Sequence, residues 1–130
     1  MKRLLAATAA LETGAGLFLL AAPATFAGLR FGVPLEIAAA ITVAHIGGAG
    51  LLALGVAAWF AASDAGSCAA RGLVGTMILY NLGAAVFLGA ATWQPASNAL
   101  VLWPGAALHT MMAVWCVAQL LTTAPKPLHQ

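Results

Sequence analysis

Four long apolar stretches, separated by short connections, constrain this chain more than any other feature. They run from Leu4 to Ala22, Ile37 to Ala62, Gly72 to Trp93 and Ala99 to Leu121. Each is long enough to cross a hydrocarbon core, which takes about 20 helical residues. In lipid every backbone N–H and C=O must be paired within the protein, which leaves helices and closed barrels. The alternation of apolar and polar residues expected of a barrel strand is missing, so the stretches read as helices. Charge supports this: of 130 residues 63% are hydrophobic and only 6% charged, against about 25% charged in a soluble domain. So few charges cannot cover a water-facing surface, and lipid is the expected solvent. Length allows one domain, residues 1–130.

The connections span 23–36, 63–71 and 94–98, short enough to make successive helices antiparallel. The expected fold is therefore all-α, an integral membrane four-helix bundle running up-down-up-down. The first connection carries Phe26, Leu29, Phe31 and Val33 between Pro23 and Pro34, a composition suited to a segment lying at the membrane surface. Basic residues orient the chain. With the amino terminus inside, Lys2, Arg3, Arg71 and Lys126 are cytoplasmic and only Arg30 is outside. Trp93 and Trp103 then lie near the outer interface and Trp59 near the inner one. The expected location is a bacterial inner (plasma) membrane with both termini cytoplasmic.

Met1-Lys2-Arg3 ahead of an apolar run imitates a secretory signal, and Ala22-Pro23-Ala24 or Thr25-Phe26-Ala27 imitates its cleavage site. Glu12 is foreign to the apolar region of such a signal, so the segment is expected to stay as the first helix. Cys68 falls in a connection and Cys116 in an apolar run, so both are expected as free thiols. A net charge of +2 gives no basic patch for nucleic acid. The expected partners are the lipid bilayer and, beyond it, a second copy of the chain or a larger membrane complex.

Lipid supplies little hydrophobic drive between helices, so close approach rests on small residues. Spacings of three and four suggest inner faces: Ala9, Glu12 and Gly16; Ala38, Thr42, His45 and Ala49; Asn81, Ala84 and Ala85; Gly105, His109, Ala113 and Cys116.

Among these, Glu12, His45, Asn81 and His109 are polar groups within the spans. At about 1.5 Å per residue, Glu12, His45 and His109 lie roughly 12–15 Å from the same membrane face, and Asn81 about 18 Å. Tyr80 is beside Asn81. If Pro104 sits in the first turn of its helix, His109 is only about 8 Å deep. If Pro104 instead kinks a helix that begins near Ala99, the depths match, and Asn98 as N-cap favours the kink. Ionisable groups in hydrocarbon are costly, about 2.5–3.5 kcal/mol on insertion scales, and normally face the interior with a partner.

Four uses of this cluster remain open. The side chains can act as interhelical hydrogen-bonding glue. Glu12, His45 and His109 are acceptable zinc or iron ligands, though they come singly from three helices. His45 and His109, on parallel helices and near Gly47, Gly48 and Gly50, suit a bis-histidine haem. A quinone, proton or small-solute site would use Glu12 and His45 for proton exchange. Tyr80 and Trp115 are read as packing or lipid-facing aromatics, and Met111 and Met112 as pointing to different faces. No Ser-His-Asp arrangement, HExxH or phosphate loop is present, so the expectation leans to a non-enzymatic accessory or self-associating component, with no cofactor assigned.

The phrases Leu-Glu-Thr-Gly-Ala-Gly-Leu (11–17), Leu-Ala-Leu-Gly-Val-Ala-Ala-Trp (52–59), Ala-Arg-Gly-Leu (70–73), Leu-Tyr-Asn (79–81) and Leu-Trp-Pro-Gly-Ala-Ala-Leu-His (102–109) resemble small bacterial four-helix membrane proteins with no assigned activity. The general shape is also similar to DoxX-like proteins, some tied to quinone-linked redox chemistry. These resemblances imply a membrane location and, for the second, a quinone as the ligand to expect.

Overall fold

A computed structural model describes residues 1–93 and 99–123. The chain forms α1 (Lys2–Ala21), α2 (Pro23–Phe31), α3 (Ala38–Ser63), α4 (Cys68–Ala91) and α5 (Ala99–Thr122). Among the described residues there is no strand. The four long helices are each apolar and long enough to cross a membrane, so the chain is an all-α membrane bundle. The 94–98 connection, the Asn98 cap and Lys126 lie outside the described residues.

Two boundaries differ from the sequence reading, each for a local reason. The surface segment after Pro23 is itself helical. Pro23 opens α2, where a missing N–H costs nothing, and Gly32 ends it at φ 81°, a left-handed conformation that favours glycine. At α4 the helix begins at Cys68, one turn before the expected Gly72. Ser67 is the cause: its hydroxyl accepts from the Ala70 N–H at 3.1 Å, satisfying one of the first-turn donors. Cys68 is thus at the start of a helix, exposed and free, while Cys116 is buried and free. Arg71, expected in the connection, sits inside the first turn of α4.

The bundle is built from two close helix pairs, α1 with α3 and α4 with α5, and α3 approaches α4 much less closely. Glycine makes the first pair. A Cβ on Gly16 would lie 2.6 Å from the Leu52 nitrogen and 2.8 Å from the Gly48 oxygen. One on Gly48 would lie 3.1 Å from the Gly16 oxygen, and one on Gly55 2.7 Å from the Thr13 nitrogen. These backbones touch only because the side chains are absent.

That contact decides which way α3 faces. Gly48, Gly55 and Ala58 are its buried residues, whereas Ala38, Thr42, His45 and Ala49, the expected inner face, are exposed. At 3.6 residues per turn, those four lie on the flank of the glycine seam. On the expected inner faces of α1 and α5, Ala9, Glu12 and Gly16, and Gly105, Ala113 and Cys116, are buried, and His109 is half-buried. Between the pairs, Leu4 and Leu5 of α1 meet Val74 and Met77 of α4 and Cys116 of α5 in one core.

At the Met1 end, Arg71 donates to the Thr123 carbonyl and, at 3.3 Å, to the Leu120 carbonyl. It thereby caps the last turn of α5, where the helix dipole is negative. At the other end α2 lies across the bundle against α1, α3 and α5. Ala27 is buried there, and Phe26 meets Phe18 edge-on at a centroid distance of 5.5 Å. Trp59, Trp93 and Trp103 are all exposed.

Candidate functional site

Glu12 lies nine residues from the α2 end of α1, Asn81 ten from the corresponding end of α4, and His109 ten from Ala99. That places all three about 13–15 Å below one face of the bundle. α5 begins at Ala99 and contains Pro104, the arrangement that the depth of His109 requires. Tyr80, next to Asn81, completes the group.

Two interhelical hydrogen bonds organise these side chains. The Tyr80 hydroxyl donates to Glu12 Oε2 at 3.2 Å, linking α4 of one helix pair to α1 of the other. His109 Nδ1 and Asn81 Oδ1 are 2.8 Å apart, linking α5 to α4. The Asn81 amide also donates through Nδ2 to the Met77 carbonyl at 2.8 Å. This second bond fixes which end of the amide faces His109: it is the oxygen, which can only accept. Nδ1 therefore carries the hydrogen. In the neutral ring, Nε2 then presents a lone pair. The rings of Tyr80 and His109 pack edge to face at 5.6 Å and 87°. Tyr80, whose place beside Asn81 put it with the polar cluster while its ring suited packing, hydrogen-bonds within the group.

These groups line a cavity of about 280 Å³. Glu12, Tyr80, Asn81 and His109 form its polar side; Leu11, Leu51, Leu108 and Met112 its apolar side; Phe26 and Arg30 close it from α2. Met112 is buried while Met111 is exposed, so the two do face different ways.

Arg30 is the site residue that sequence reasoning missed. As the lone basic residue of its connection it reads as a solvated charge, yet it shares the inner face of α2 with Phe26, one turn earlier. Its guanidinium lies over Gly105 of α5, occupying the place a Cβ would take. The available signal was a glycine following Pro104 at the level of the one cation on that side.

His45 is not brought into the cluster. It is exposed on α3 and does not line the cavity. The glycine seam with α1 sets the rotation of α3, and His45 lies on its outer flank. The expected His45–His109 pairing for haem and the Glu12–His45–His109 triad for a metal are therefore not assembled. Among the described residues, no three His, Cys, Asp or Glu side chains come together as a metal site.

Comparison with family models, curated proteins and solved structures gives no match. The likeness to DoxX-like proteins is one of general shape and carries no identification.

Proposed function

We propose that this membrane protein binds a small, uncharged, lipophilic molecule with a polar head, of which quinones are the representative class, and that it does so without a catalytic step of its own. The observation that carries this reading is the cavity. It places Glu12, Arg30, Tyr80 and His109 around one space inside a bundle whose surroundings are apolar. Small-molecule sites have this character: an apolar enclosure with a few polar groups that fix orientation. The cavity brings one carboxylate and one guanidinium, so a bound head need carry no compensating charge. Arg30 is a donor to a carbonyl oxygen, and His109 Nε2 accepts from a hydroxyl. A ring bearing both kinds of oxygen fits this set, and a volume near 280 Å³ suits a single ring.

The test is binding of a tail-less methoxy-methyl-benzoquinone to the detergent-purified protein, followed by fluorescence quenching. Saturable binding that weakens in Arg30→Met and His109→Ala, with both variants folded, supports the reading. Wild-type protein that gives no saturable quenching rejects it.

A second reading has its own support. The Tyr80–Glu12 and His109–Asn81 bonds each join two helices, as purely structural polar contacts do. It predicts that the same substitutions lower thermal stability and change no ligand affinity. The protein then serves as an accessory or self-associating component of the membrane.

The orientation belongs to the same proposal. Lys2, Arg3 and Arg71 gather at the Met1 end, whereas Arg30, the cation nearest the other end, turns into the cavity. By the positive-inside rule the Met1 end is cytoplasmic in a bacterial inner membrane.

A further inference from the structure

The glycines of α3 fall into two classes. Gly48 and Gly55 are required by contact with α1, as the overlapping positions of an added Cβ show. Gly47 and Gly50 are not. A Cβ on Gly50 would meet nothing within 4 Å, and one on Gly47 would meet only a Leu19 methyl at an ordinary 3.7 Å. Glycine is a weaker helix former than alanine, and internal packing does not explain these two.

They form the floor of a second, almost wholly apolar hollow of about 370 Å³, lined by Leu19, Gly47, Gly50, Leu51, Leu54 and Tyr80. Two of those residues, Leu51 and Tyr80, also line the polar cavity. The hollow lies between the two close helix pairs, with Leu19 of α1 and the α3 residues on one side and Tyr80 of α4 on the other. Tyr80 stands between the two spaces. Its hydroxyl is directed to Glu12 in the polar cavity, and its ring forms part of the apolar wall.

We propose that this hollow is a lateral groove between α3 and α4 that holds the apolar chain of a ligand whose polar head occupies the Glu12–Arg30–His109 cavity. The inference rests on the binding reading above and narrows its ligand to a polar ring carrying a single hydrocarbon chain. Continuity with the polar cavity argues for this occupant over a second copy of the protein, because a packed helix would seal the shared Leu51–Tyr80 boundary. The chain also gives the head its route: a molecule dissolved in the bilayer slides between α3 and α4 without crossing water. Lipid is already an apolar solvent for the chain, so the groove contributes room and contact rather than desolvation. Blocking it excludes a chain without touching the head.

The experiment compares two probes, the tail-less benzoquinone and the same ring bearing a decyl chain, on wild type, Gly50→Leu and Gly83→Leu. A Cβ at either glycine meets open space, so neither variant obstructs the helix packing, and Gly83→Leu, at a position that lines neither the hollow nor the polar cavity, controls for an added apolar side chain. Dissociation constants are measured in one detergent. The expected result is that Gly50→Leu weakens the decyl probe roughly tenfold or more, the size expected when a side chain competes for packed space. The tail-less ring binds it as it binds wild type, and Gly83→Leu alters neither probe. Equal decyl affinity in wild type and Gly50→Leu, with ring binding intact, overturns the groove and leaves the cavity standing. Loss of an oligomer in Gly50→Leu, read by light scattering, makes the hollow a seam between copies and also overturns it. Failure of both probes on wild type removes the binding reading itself, and the groove with it.

Discussion

Arg30 reaches the cavity because residue 105 has no side chain. Its guanidinium fills the space that a Cβ at Gly105 would need, so the two positions act as one. Gly105→Val should displace the guanidinium and weaken benzoquinone binding about as much as Arg30→Met does, while Gly83→Val leaves binding unchanged; parallel titrations check this. Thr8 presents the opposite case. It is buried at 1% exposure, and among the described residues its hydroxyl has no partner. An unpaired buried hydroxyl costs about 1–3 kcal/mol. Thr8→Val keeps the shape and removes that group, so its melting temperature in detergent should rise. At this scale the sequence was partly legible. Glu12, Asn81 and His109 stand out because polar groups in apolar runs usually turn inward. Arg30 did not, because a cation in a short connection looks the same whether it faces water or folds back over a helix end. His45 was misread for a related reason: depth can be counted along a helix, but rotation about its axis is set by what the neighbouring helix touches.

α1 and α3 are held by backbone contact, and α4 and α5 by larger side chains and a cap. The first mode makes the glycines unequal. Gly16→Leu should prevent the α1–α3 pair from closing and leave protein that aggregates on extraction, because the obstructing atoms are backbone. Gly75→Leu, where a Cβ meets nothing within 4 Å, should melt like wild type. Size-exclusion profiles and melting curves separate the two. The second mode makes Arg71 measurable. Its hydrogen bonds to the Leu120 and Thr123 carbonyls combine a cap with a favourable charge at a helix C-terminus. Arg71→Ala should cost about 1 kcal/mol, with faster hydrogen exchange confined to the last turn of α5. The helices themselves were legible because unbroken apolar runs of this length have one outcome in lipid. The α2 helix and the early start of α4 were not, since each depends on a single residue, Pro23 or Ser67, whose effect is local. Fourteen glycines announce close packing without saying which of them touch.

Taken whole, the molecule offers one accessible thiol. Cys68 is exposed at the start of α4, near the Met1 end, and Cys116 is buried in the core. A membrane-impermeant maleimide should therefore label intact cells weakly and label them fully at Cys68 once the membrane is opened. Full labelling of intact cells would reverse the proposed orientation. No substitution is required, because Cys116 at 0% exposure is shielded. The division into two close pairs has a further consequence. Residues up to Asp64 contain α1, α2 and α3, those after it contain α4 and α5, and almost all tight backbone approach lies within one set or the other. The chain is thus divisible at the turn 64–67, between α3 and α4, into two hairpins that can each enter a bilayer as a finished piece. What the covalent link adds is partnership: it keeps one half of a polar chamber, Glu12 and Arg30, in permanent company with the other, Tyr80, Asn81 and His109. Two separately made halves that meet in the membrane would rebuild the chamber, and either half alone would leave its polar groups facing lipid.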